Sequence, residues 1–263
     1  MFNRFFIGQK KTSSPLKSLF IHIPKAGGST FVGLLKESFK HNIPDTVTHK
    51  TEKVGNVSIK HIDFSTTERP FKEPDIFDIN KDENYNDQLL FLLLRNPVKR
   101  LISEFNFQYH ILNGKNGNKQ AAILSQLKKQ PKNFEEYIRN KETQNYQLKF
   151  LLGRPINDPT KVTQAELDKV IERIDNMPIY CGVTDEYASF LNLFESKTQI
   201  SLPKKVLIRK KTPFLYHTEL NQQTKEMITS LNKFDAKLYA HIKKYILVNN
   251  KKFKFIEKDQ FII

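Results

Sequence analysis

A lysine, two glycines and two hydroxyl residues stand together near the N-terminus, in the run Pro24-Lys25-Ala26-Gly27-Gly28-Ser29-Thr30. Glycines let backbone N–H groups approach an anion closely, and a helix N-terminus favours negative charge. The lysine adds a positive point charge. The run therefore predicts a phosphate-binding loop, although its lysine precedes the glycines and so departs from the order found in nucleoside triphosphatases.

A second basic group follows the apolar run Gln88–Leu94, which is typical of a buried parallel strand. Arg95 comes directly after this run, and Lys99 and Ser103 follow it along the next predicted helix. An arginine at the end of a buried strand needs an anionic partner, because an unpaired buried charge is costly. The sequence leaves two partners open for Arg95, which are a bound anion and a structural carboxylate such as Glu104.

The elements that must position these residues alternate between strands and helices. Short apolar or alternating runs predict strands over Ser18–Ile23, Val57–Ile62, Gln88–Leu94, Met177–Gly182 and Lys205–Ile208. Apolar residues at three- and four-residue spacing predict helices over residues 29–39, 97–112, 121–128, 134–140, 144–152, 164–174, 185–194 and 231–246. Ser29 or Thr30 is expected at the start of the first helix.

This alternation predicts an α/β fold with a central, mostly parallel sheet and helical insertions in the middle of the chain. We expect an N-terminal tail over residues 1–17 and a single domain over residues 18–263. Ligands of an open parallel sheet bind outside the carboxyl ends of its strands. Both basic groups follow such ends, so we expect them to share one site.

The composition excludes several classes of protein. The chain has 263 residues, of which 38% are hydrophobic and 27% charged, so a mainly disordered chain, a collagen and a coiled coil are excluded. Lysine and arginine exceed aspartate and glutamate by 43 to 28, and the net charge of +15 indicates a polyanionic partner or substrate. The single cysteine, Cys181, excludes an internal disulfide and a cysteine-based zinc site, which fits a reducing compartment.

The two basic groups resemble motifs of a known enzyme family. Leu19–Thr30 resembles the 5′-phosphosulfate loop of the membrane-associated carbohydrate sulfotransferases, the group that contains heparan sulfate 2-O-sulfotransferase. Leu93–Phe105 resembles the 3′-phosphate motif of that family, with Arg95 and Ser103 at the two binding positions. Weaker similarities lie at 145–153, 182–187 and 235–239.

The resemblance implies a P-loop-like, three-layer fold that binds 3′-phosphoadenosine 5′-phosphosulfate (PAPS) and transfers its sulfuryl group to a hydroxyl, usually on a sugar. Lys25 would stabilise the departing 5′-phosphate and Arg95 with Ser103 would bind the 3′-phosphate. No metal is expected. The residues implied to hold the 5′-phosphate are Lys25, Ala26, Gly27, Gly28, Ser29 and Thr30, and those implied as further nucleotide contacts are Lys211 and Thr212.

The acceptor hydroxyl needs a general base, and His61 is the candidate. Some family members carry a histidine before an apolar-Asp-Phe stretch on an early strand, and His61-Ile62-Asp63-Phe64 resembles it. A neutral imidazole suits this task near neutral pH. Glu37, Asp63 and Glu104 are alternative bases, whereas His22 is expected to pack within the first strand.

Two other classes of function compete with a sulfotransferase. A non-catalytic module for polyanions or nucleic acid would need basic residues interleaved with aromatic ones, and only Phe105, Phe107 and Tyr109 offer such a pattern. A nucleotide-dependent phosphotransferase would need an acidic magnesium ligand that the sequence does not indicate. We expect a glycan or other hydroxyl acceptor and no nucleic acid. The sequence shows no signal peptide and no run long enough to span a membrane, so a cytoplasmic location is expected.

Overall fold

The structure is a computed structural model, and it describes residues 17–40, 51–60, 88–107, 131–154, 158–203 and 220–250. Within these ranges five strands form one sheet. They are β1 (Lys17–Ile21), β2 (Thr51–Val54), β3 (Val57–Lys60), β4 (Gln88–Leu94) and β5 (Ile179–Val183). Their order is β2-β3-β1-β4-β5, and every neighbouring pair is parallel except β2 with β3. The predicted α/β fold with a mostly parallel sheet is confirmed.

Helices lie on both faces of this sheet. Those described are α1 (Gly28–Ser38), α2 (Pro97–Asn106), α3 (Phe134–Arg139), α4 (Tyr146–Leu151), α5 (Gln164–Asn176), α6 (Tyr187–Thr198), α7 (Gln222–Leu231) and α8 (Lys233–Asn250). Short 3₁₀ turns at Lys141–Thr143 and Thr184–Glu186 precede α4 and α6. The start of α2 shows why the chain folds this way locally. Asn96 accepts hydrogen bonds from the first free N–H groups, and Pro97 occupies the first helical position, where no N–H is needed.

The alternation of side chains along the buried strands separates two cores. On β4, Phe91 and Leu93 face α1 and α6, whereas Leu90, Leu92 and Leu94 face α4, α5 and α8. A third, smaller cluster joins α2, α3 and α7 around Leu101, Tyr137 and Ile228. The molecule is therefore built of three layers, helix on sheet on helix, with helical insertions beside them.

The structure differs from the predicted elements in a few places. The sequence did not predict β2, because its residues Thr51–Val54 are mostly polar and become a strand only by pairing with β3 at the sheet edge. It also missed α7, and it placed the start of the last helix at Leu231, which ends α7, whereas α8 begins at Lys233. The predicted helix at 121–128, the end of the predicted 97–112 helix, and the strand at 205–208 lie outside the described residues.

The predicted N-terminal tail and a possible membrane span remain to be compared with the structure. Residues 1–16 of the predicted tail are outside the described residues, and Lys17 belongs to β1. Across the part of the chain that the structure describes, we find no helix with the length and apolarity needed to cross a membrane.

Candidate functional site

The candidate phosphate-binding loop connects β1 to α1. Gly27, with φ 84°, is the N-cap residue, and no side chain caps the helix there. The predicted start at Ser29 or Thr30 is therefore corrected, because the helix begins at Gly28. Lys25 also has a positive φ, of 63°. The left-handed conformation is natural for glycine but uncommon for lysine, so surrounding contacts must hold Lys25 in place.

The two glycines of the loop are required by close neighbours. A Cβ on Gly28 would lie 2.2 Å from the Cδ2 atom of His22, whose ring packs against the glycine. A Cβ on Gly27 would lie 3.0 Å from the Thr184 methyl and 3.2 Å from the Tyr187 ring. Tyr187 also donates a hydrogen bond from its hydroxyl to the Gly27 carbonyl, at 3.2 Å. The loop is thus held between the end of β1 and the start of α6.

Backbone N–H groups in the loop divide into those used within the protein and those left for a ligand. Ala26 donates to the Ile23 carbonyl at 3.3 Å, and Thr30 donates to the Gly27 carbonyl at 3.2 Å. Among the described residues, the N–H groups of Gly27, Gly28 and Ser29 have no such backbone acceptor. Among the residues that the resemblance implies at the 5′-phosphate, these three therefore have N–H groups available to an anion.

Arg95 joins this loop to the end of the neighbouring strand. β1 and β4 are adjacent and parallel, so the residues that follow them meet at the same edge of the sheet. The Arg95 guanidinium donates from Nη1 to the carbonyl oxygen of Lys25 at 3.2 Å. Burial, with repulsion from Arg100, lowers the pKa of Arg95, and Asp185 opposes this effect. A partly desolvated cation at this position is a suitable ligand for a phosphate.

The structural ion pair that the sequence left open for Arg95 is wrong. Glu104 pairs instead with Arg100, at 2.6 Å between Oε2 and Nη1, and both side chains are almost completely buried. Burial is the largest single effect and disfavours the charged Arg100, but Glu104, two neighbouring tyrosines and Asp235 together outweigh it, so the pKa of Arg100 is raised. A carboxylate that is 1% exposed and bound to an arginine has no access to an acceptor, so Glu104 is also removed as a candidate base.

The face of α2 that follows Arg95 carries further polar groups. Lys99 and Ser103 are one turn apart, which places them on the same face of the helix. Lys99 forms an ion pair with Asp185 at 2.8 Å, and Tyr239 of α8 donates to the other oxygen of Asp185 at 2.7 Å. Burial acts to raise the pKa of Asp185, but these hydrogen bonds lower it, so the carboxylate stays charged.

The ammonium group of Lys25 rests on an aromatic ring. Its Nζ lies 4.0 Å from the centroid of Phe107, at the end of α2. A cation over a ring face gains a modest electrostatic stabilisation. Phe105 and Phe107 both belong to the sequence pattern that a polyanion-binding module would need, but Phe105 is 5% exposed and packs within the third cluster. Phe107 has a different environment, beside the candidate catalytic lysine.

Several predicted residues lie outside the described part of the chain, namely His61, Asp63, Lys211 and Thr212. Of the other candidate bases, Glu37 is exposed in the last turn of α1, nine residues or about 13 Å along the helix axis from Gly28. Glu37 is therefore too far from the loop to act as a base there. His22 was expected within the first strand, but β1 ends at Ile21 and the His22 ring packs beside Gly28.

The described residues contain no group of three or more histidine, cysteine, aspartate and glutamate side chains that could hold a metal ion. Cys181 lies within β5, where burial raises the pKa of its thiol. An inert buried thiol of this kind contributes to packing and offers no nucleophile or metal ligand.

The comparison with protein families agrees with the geometry. The family model described as "Sulfotransferase family" matches residues 11–241, which include both loops and every helix from α1 to α7. The chain belongs to the sulfotransferase family. It is therefore an enzyme that transfers a sulfuryl group, and the P-loop-like fold and the resemblance to the group with heparan sulfate 2-O-sulfotransferase-like members are confirmed at the level of the family. A comparison with curated proteins gives no significant match.

Three residues of this sulfotransferase contact the site without having been predicted to do so. They are Gln147, Tyr187 and Phe107. Gln147 and Tyr187 stand inside the weaker sequence similarities at 145–153 and 182–187, which was the available signal. Their contacts are to backbone atoms of the loops, and such contacts leave no pattern of residue types or spacing in a single sequence.

Proposed function

We propose that the protein transfers the sulfuryl group of PAPS to a hydroxyl group, and that the acceptor is a carbohydrate. The observation that carries the proposal is the hydrogen bond from Arg95 to the Lys25 carbonyl. It joins two loops that follow adjacent parallel strands, at the edge where such sheets bind nucleotides. The same two loops resemble the 5′-phosphosulfate and 3′-phosphate motifs of the family.

The donor is held by the two loops together. The N–H groups of Gly27, Gly28 and Ser29 and the hydroxyls of Ser29 and Thr30 bind the 5′-phosphate, with Ala26 shaping the loop. Arg95 and Ser103 bind the 3′-phosphate that distinguishes this donor from other adenine nucleotides. Lys211 and Thr212 contact the nucleotide further from the reaction. No metal ion takes part in this proposal.

The reaction exchanges one sulfur–oxygen bond for another. The acceptor oxygen attacks sulfur and forms the new O–S bond, while the bond from sulfur to the 5′-phosphate oxygen breaks and 3′-phosphoadenosine 5′-phosphate (PAP) leaves. The acceptor proton passes to a general base. As in phosphoryl transfer, catalysis depends mainly on positioning and charge stabilisation. Lys25 stabilises the charge that develops on the leaving oxygen.

We assign the general base to His61. In the described part of the chain, β3 runs parallel to β1, and its last residue, Lys60, pairs with Ile21 at the end of β1. His61 follows Lys60 in the sequence. The carboxyl end of β3 thus reaches the sheet edge that carries the phosphate loop, which supports the assignment.

The acceptor and the compartment are proposed from the charge and from the single cysteine. A net charge of +15 suits an acidic glycan, because a positive surface attracts polyanions and accelerates their encounter with the enzyme. One cysteine in the chain fits a reducing compartment, and we propose the cytoplasm.

Thermal unfolding with two nucleotides tests the donor. PAP at a hundredfold excess over its dissociation constant should stabilise the protein by about 2.7 kcal/mol, whereas ATP with Mg²⁺ should have little effect. Mass spectrometry of glycans incubated with PAPS should then show a sulfated product. Stabilisation by ATP with Mg²⁺ alone would indicate a phosphotransferase, and stabilisation by polyanions with no sulfated product would indicate a binding module.

A further inference from the structure

The side chain of Gln147 makes two hydrogen bonds to the backbone of one residue, Arg95. Its Oε1 accepts from the Arg95 N–H and its Nε2 donates to the Arg95 carbonyl, both at 2.8 Å. Arg95 comes directly after the last residue of β4. The amide of Gln147 therefore pairs with Arg95 as a neighbouring strand would, and it fixes the backbone of Arg95 where the sheet itself has ended.

Gln147 is itself held rigidly. It is 1% exposed, and its backbone N–H donates to Asp235 at 3.1 Å, while the next N–H, of Leu148, donates to the other carboxylate oxygen at 2.9 Å. Asn145 binds back to the start of α8, since its side chain accepts from the N–H of Phe234 at 2.9 Å. The first turns of α4 and α8 are thus fixed to each other, which places the Gln147 amide in one position.

The chain of contacts ends at the candidate catalytic lysine. Because the Arg95 backbone is fixed, its side chain starts from one position, and Nη1 donates a hydrogen bond to the Lys25 carbonyl at 3.2 Å. That hydrogen bond engages a residue whose φ of 63° is unfavourable for lysine. A shift of the Arg95 backbone would therefore disturb both phosphate-binding loops.

We propose that Gln147 is a positioning residue of the donor site, which holds Arg95 and, through it, the Lys25 loop in the geometry that binds PAPS. This role rests on the proposed function, because it takes Arg95 and Lys25 as donor-binding residues. Gln147 does not contact the donor. It acts by removing, before binding, the backbone freedom that Arg95 would otherwise lose on binding.

A double-mutant cycle between Gln147 and Arg95 tests the role. Gln147→Met keeps the length of the side chain and removes both hydrogen bonds, so we expect PAP to bind about tenfold more weakly, as for two neutral hydrogen bonds. Arg95→Ala should weaken PAP binding at least as much. In the Arg95→Ala background, Gln147→Met should cause little further loss, since residues that act as a unit are not additive. Calorimetry with PAP measures all four proteins.

Thr198→Val is a matched control for loss of stability. Thr198 is 6% exposed, and its hydroxyl also makes two hydrogen bonds to the backbone, donating to Phe194 and accepting from Ile200. It lies at the far end of α6 from Tyr187, about 16 Å along the helix axis. Thr198→Val should lower the melting temperature without weakening PAP binding.

If Gln147→Met does not fold, Gln147→Glu is used in its place. The second carboxylate oxygen of the glutamate repels the Arg95 carbonyl, so this variant also loses the paired hydrogen bonds.

The outcomes separate the positioning role from the proposed function. One outcome would overturn the positioning role alone. In that outcome the Gln147 variant has a lower melting temperature but the wild-type affinity for PAP, while Arg95→Ala binds PAP more weakly. An equal loss of affinity from Gln147→Met in both backgrounds would also overturn it, because the effect would not pass through Arg95. Unchanged PAP binding by Arg95→Ala itself would overturn the proposed donor site, and the role of Gln147 with it.

Discussion

Lys25 combines a charged side chain with a backbone conformation that needs support. Its φ is 63°, its carbonyl accepts from Arg95, and its ammonium lies over the ring of Phe107. The contact that links the two loops is made by the same residue that carries the charge. The backbone of Lys25 is therefore set before any donor binds, and only its flexible side chain has to move.

Lys25→Ala should lower the turnover number by about a hundredfold or more, because a charge directed at the leaving oxygen is lost. The fold should remain intact, since the carbonyl that Arg95 contacts is still present. Turnover is measured by release of PAP in the presence of PAPS and a hydroxyl acceptor that the wild-type enzyme sulfates. Lys161→Ala, a change at an exposed lysine, is the control. Wild-type turnover of Lys25→Ala would exclude this lysine from the mechanism.

His61→Ala should abolish transfer while leaving the affinity for PAP unchanged, because the base contacts the acceptor and not the nucleotide. The wild-type rate should fall as pH drops through about 6.5, where an unperturbed imidazole becomes protonated and can no longer accept a proton. The control is His241→Ala, at a histidine that lies 2.9 Å from Asp175. Full activity of His61→Ala would assign the base to another residue.

At the scale of elements, the unit of β1, loop and α1 depends on a close contact between a ring and a glycine. Gly28→Ala would place a Cβ 2.2 Å from the His22 ring, so we expect a loss of about 1–3 kcal/mol in unfolding free energy, together with weaker PAP binding. Removing the ring should relieve the clash. The double variant His22→Ala, Gly28→Ala should therefore lose less unfolding free energy than the two single variants lose in sum. Urea denaturation of all four proteins measures these free energies. Strict additivity would show that the ring does not determine the space at Gly28.

The short helix α4 carries a buried lysine on its inner side. Lys149 is 3% exposed, and its ammonium donates to the carbonyls of Lys141 at 3.1 Å and Asp158 at 2.7 Å. Burial lowers the pKa of this lysine to about 8, from a usual value near 10.5. Below pH 8 the ammonium is charged in both the folded and the unfolded state, so the folded protein bears the full cost of burying it.

Between pH 8 and 10 the folded protein releases a proton that the unfolded chain still holds, so this lysine adds stability as pH rises. Relative to Lys149→Met, the wild type should gain up to about 1.4 kcal/mol per pH unit in this interval. Other titrating groups cancel in the comparison. Chemical denaturation of both proteins at pH 7, 8, 9 and 10 measures the difference, and a constant difference across this range would contradict the lowered pKa.

The buried strands and the two loops could be predicted from sequence because their signals are local. The apolar run of β4 ends at Leu94, and the polar residues Arg95 and Asn96 follow it directly. The two glycines of the phosphate loop are also adjacent in the chain. The edge strand β2 could not be predicted, since polar residues at 51–54 become a strand only by pairing with β3. The break at Asn232 was missed for a similar reason, because its side chain accepts from the N–H of Asn145, 87 residues away.

Only those residues of the candidate site could be predicted whose type is unusual for their position in the sequence. Lys25 and Arg95 were found because a lysine beside glycines and an arginine after a buried strand are unusual. Gln147 was not, because a glutamine that binds backbone atoms across 52 residues has no characteristic spacing. Glu104 pairs with Arg100, so it is not available to Arg95, whose guanidinium contacts the Lys25 loop instead. Which of the two arginines pairs with Glu104 depends on how α2 packs against its neighbours, and the sequence does not show that.

At the scale of the whole molecule, one buried ion pair joins the helical insertions to the layered domain. The guanidinium carbon of Arg100 on α2 lies 4.2 Å from the ring centroid of Tyr146 on α4. Tyr137 on α3 is close enough to interact electrostatically with both members of the Arg100–Glu104 pair. Three helices thus meet around two charges. The packing of the insertion depends on both charges being present together.

Glu104→Ala should destabilise the protein by about 3–5 kcal/mol, because it leaves the buried Arg100 charge without a partner. The double change Arg100→Met, Glu104→Leu should recover most of that loss, since apolar residues can replace a buried pair. Glu135→Ala, which breaks an exposed pair with Arg139, should cost less than about 1 kcal/mol. Equilibrium denaturation of the variants gives the comparison, and equal effects of Glu104→Ala and Glu135→Ala would refute the stabilising role of the buried pair.

The hydrogen bonds from α4 to Asp235 also set a time at which the site can form during synthesis. Arg95 depends on Gln147, 52 residues later, and Gln147 depends on Asp235, a further 88 residues later. A ribosome adds about 5–20 residues per second, so Asp235 is added on the order of ten seconds after Arg95. Until then, the nascent chain has its glycine loop and its arginine but lacks the contacts that hold them. The donor site is therefore completed only after α8 has been synthesised and has left the ribosome.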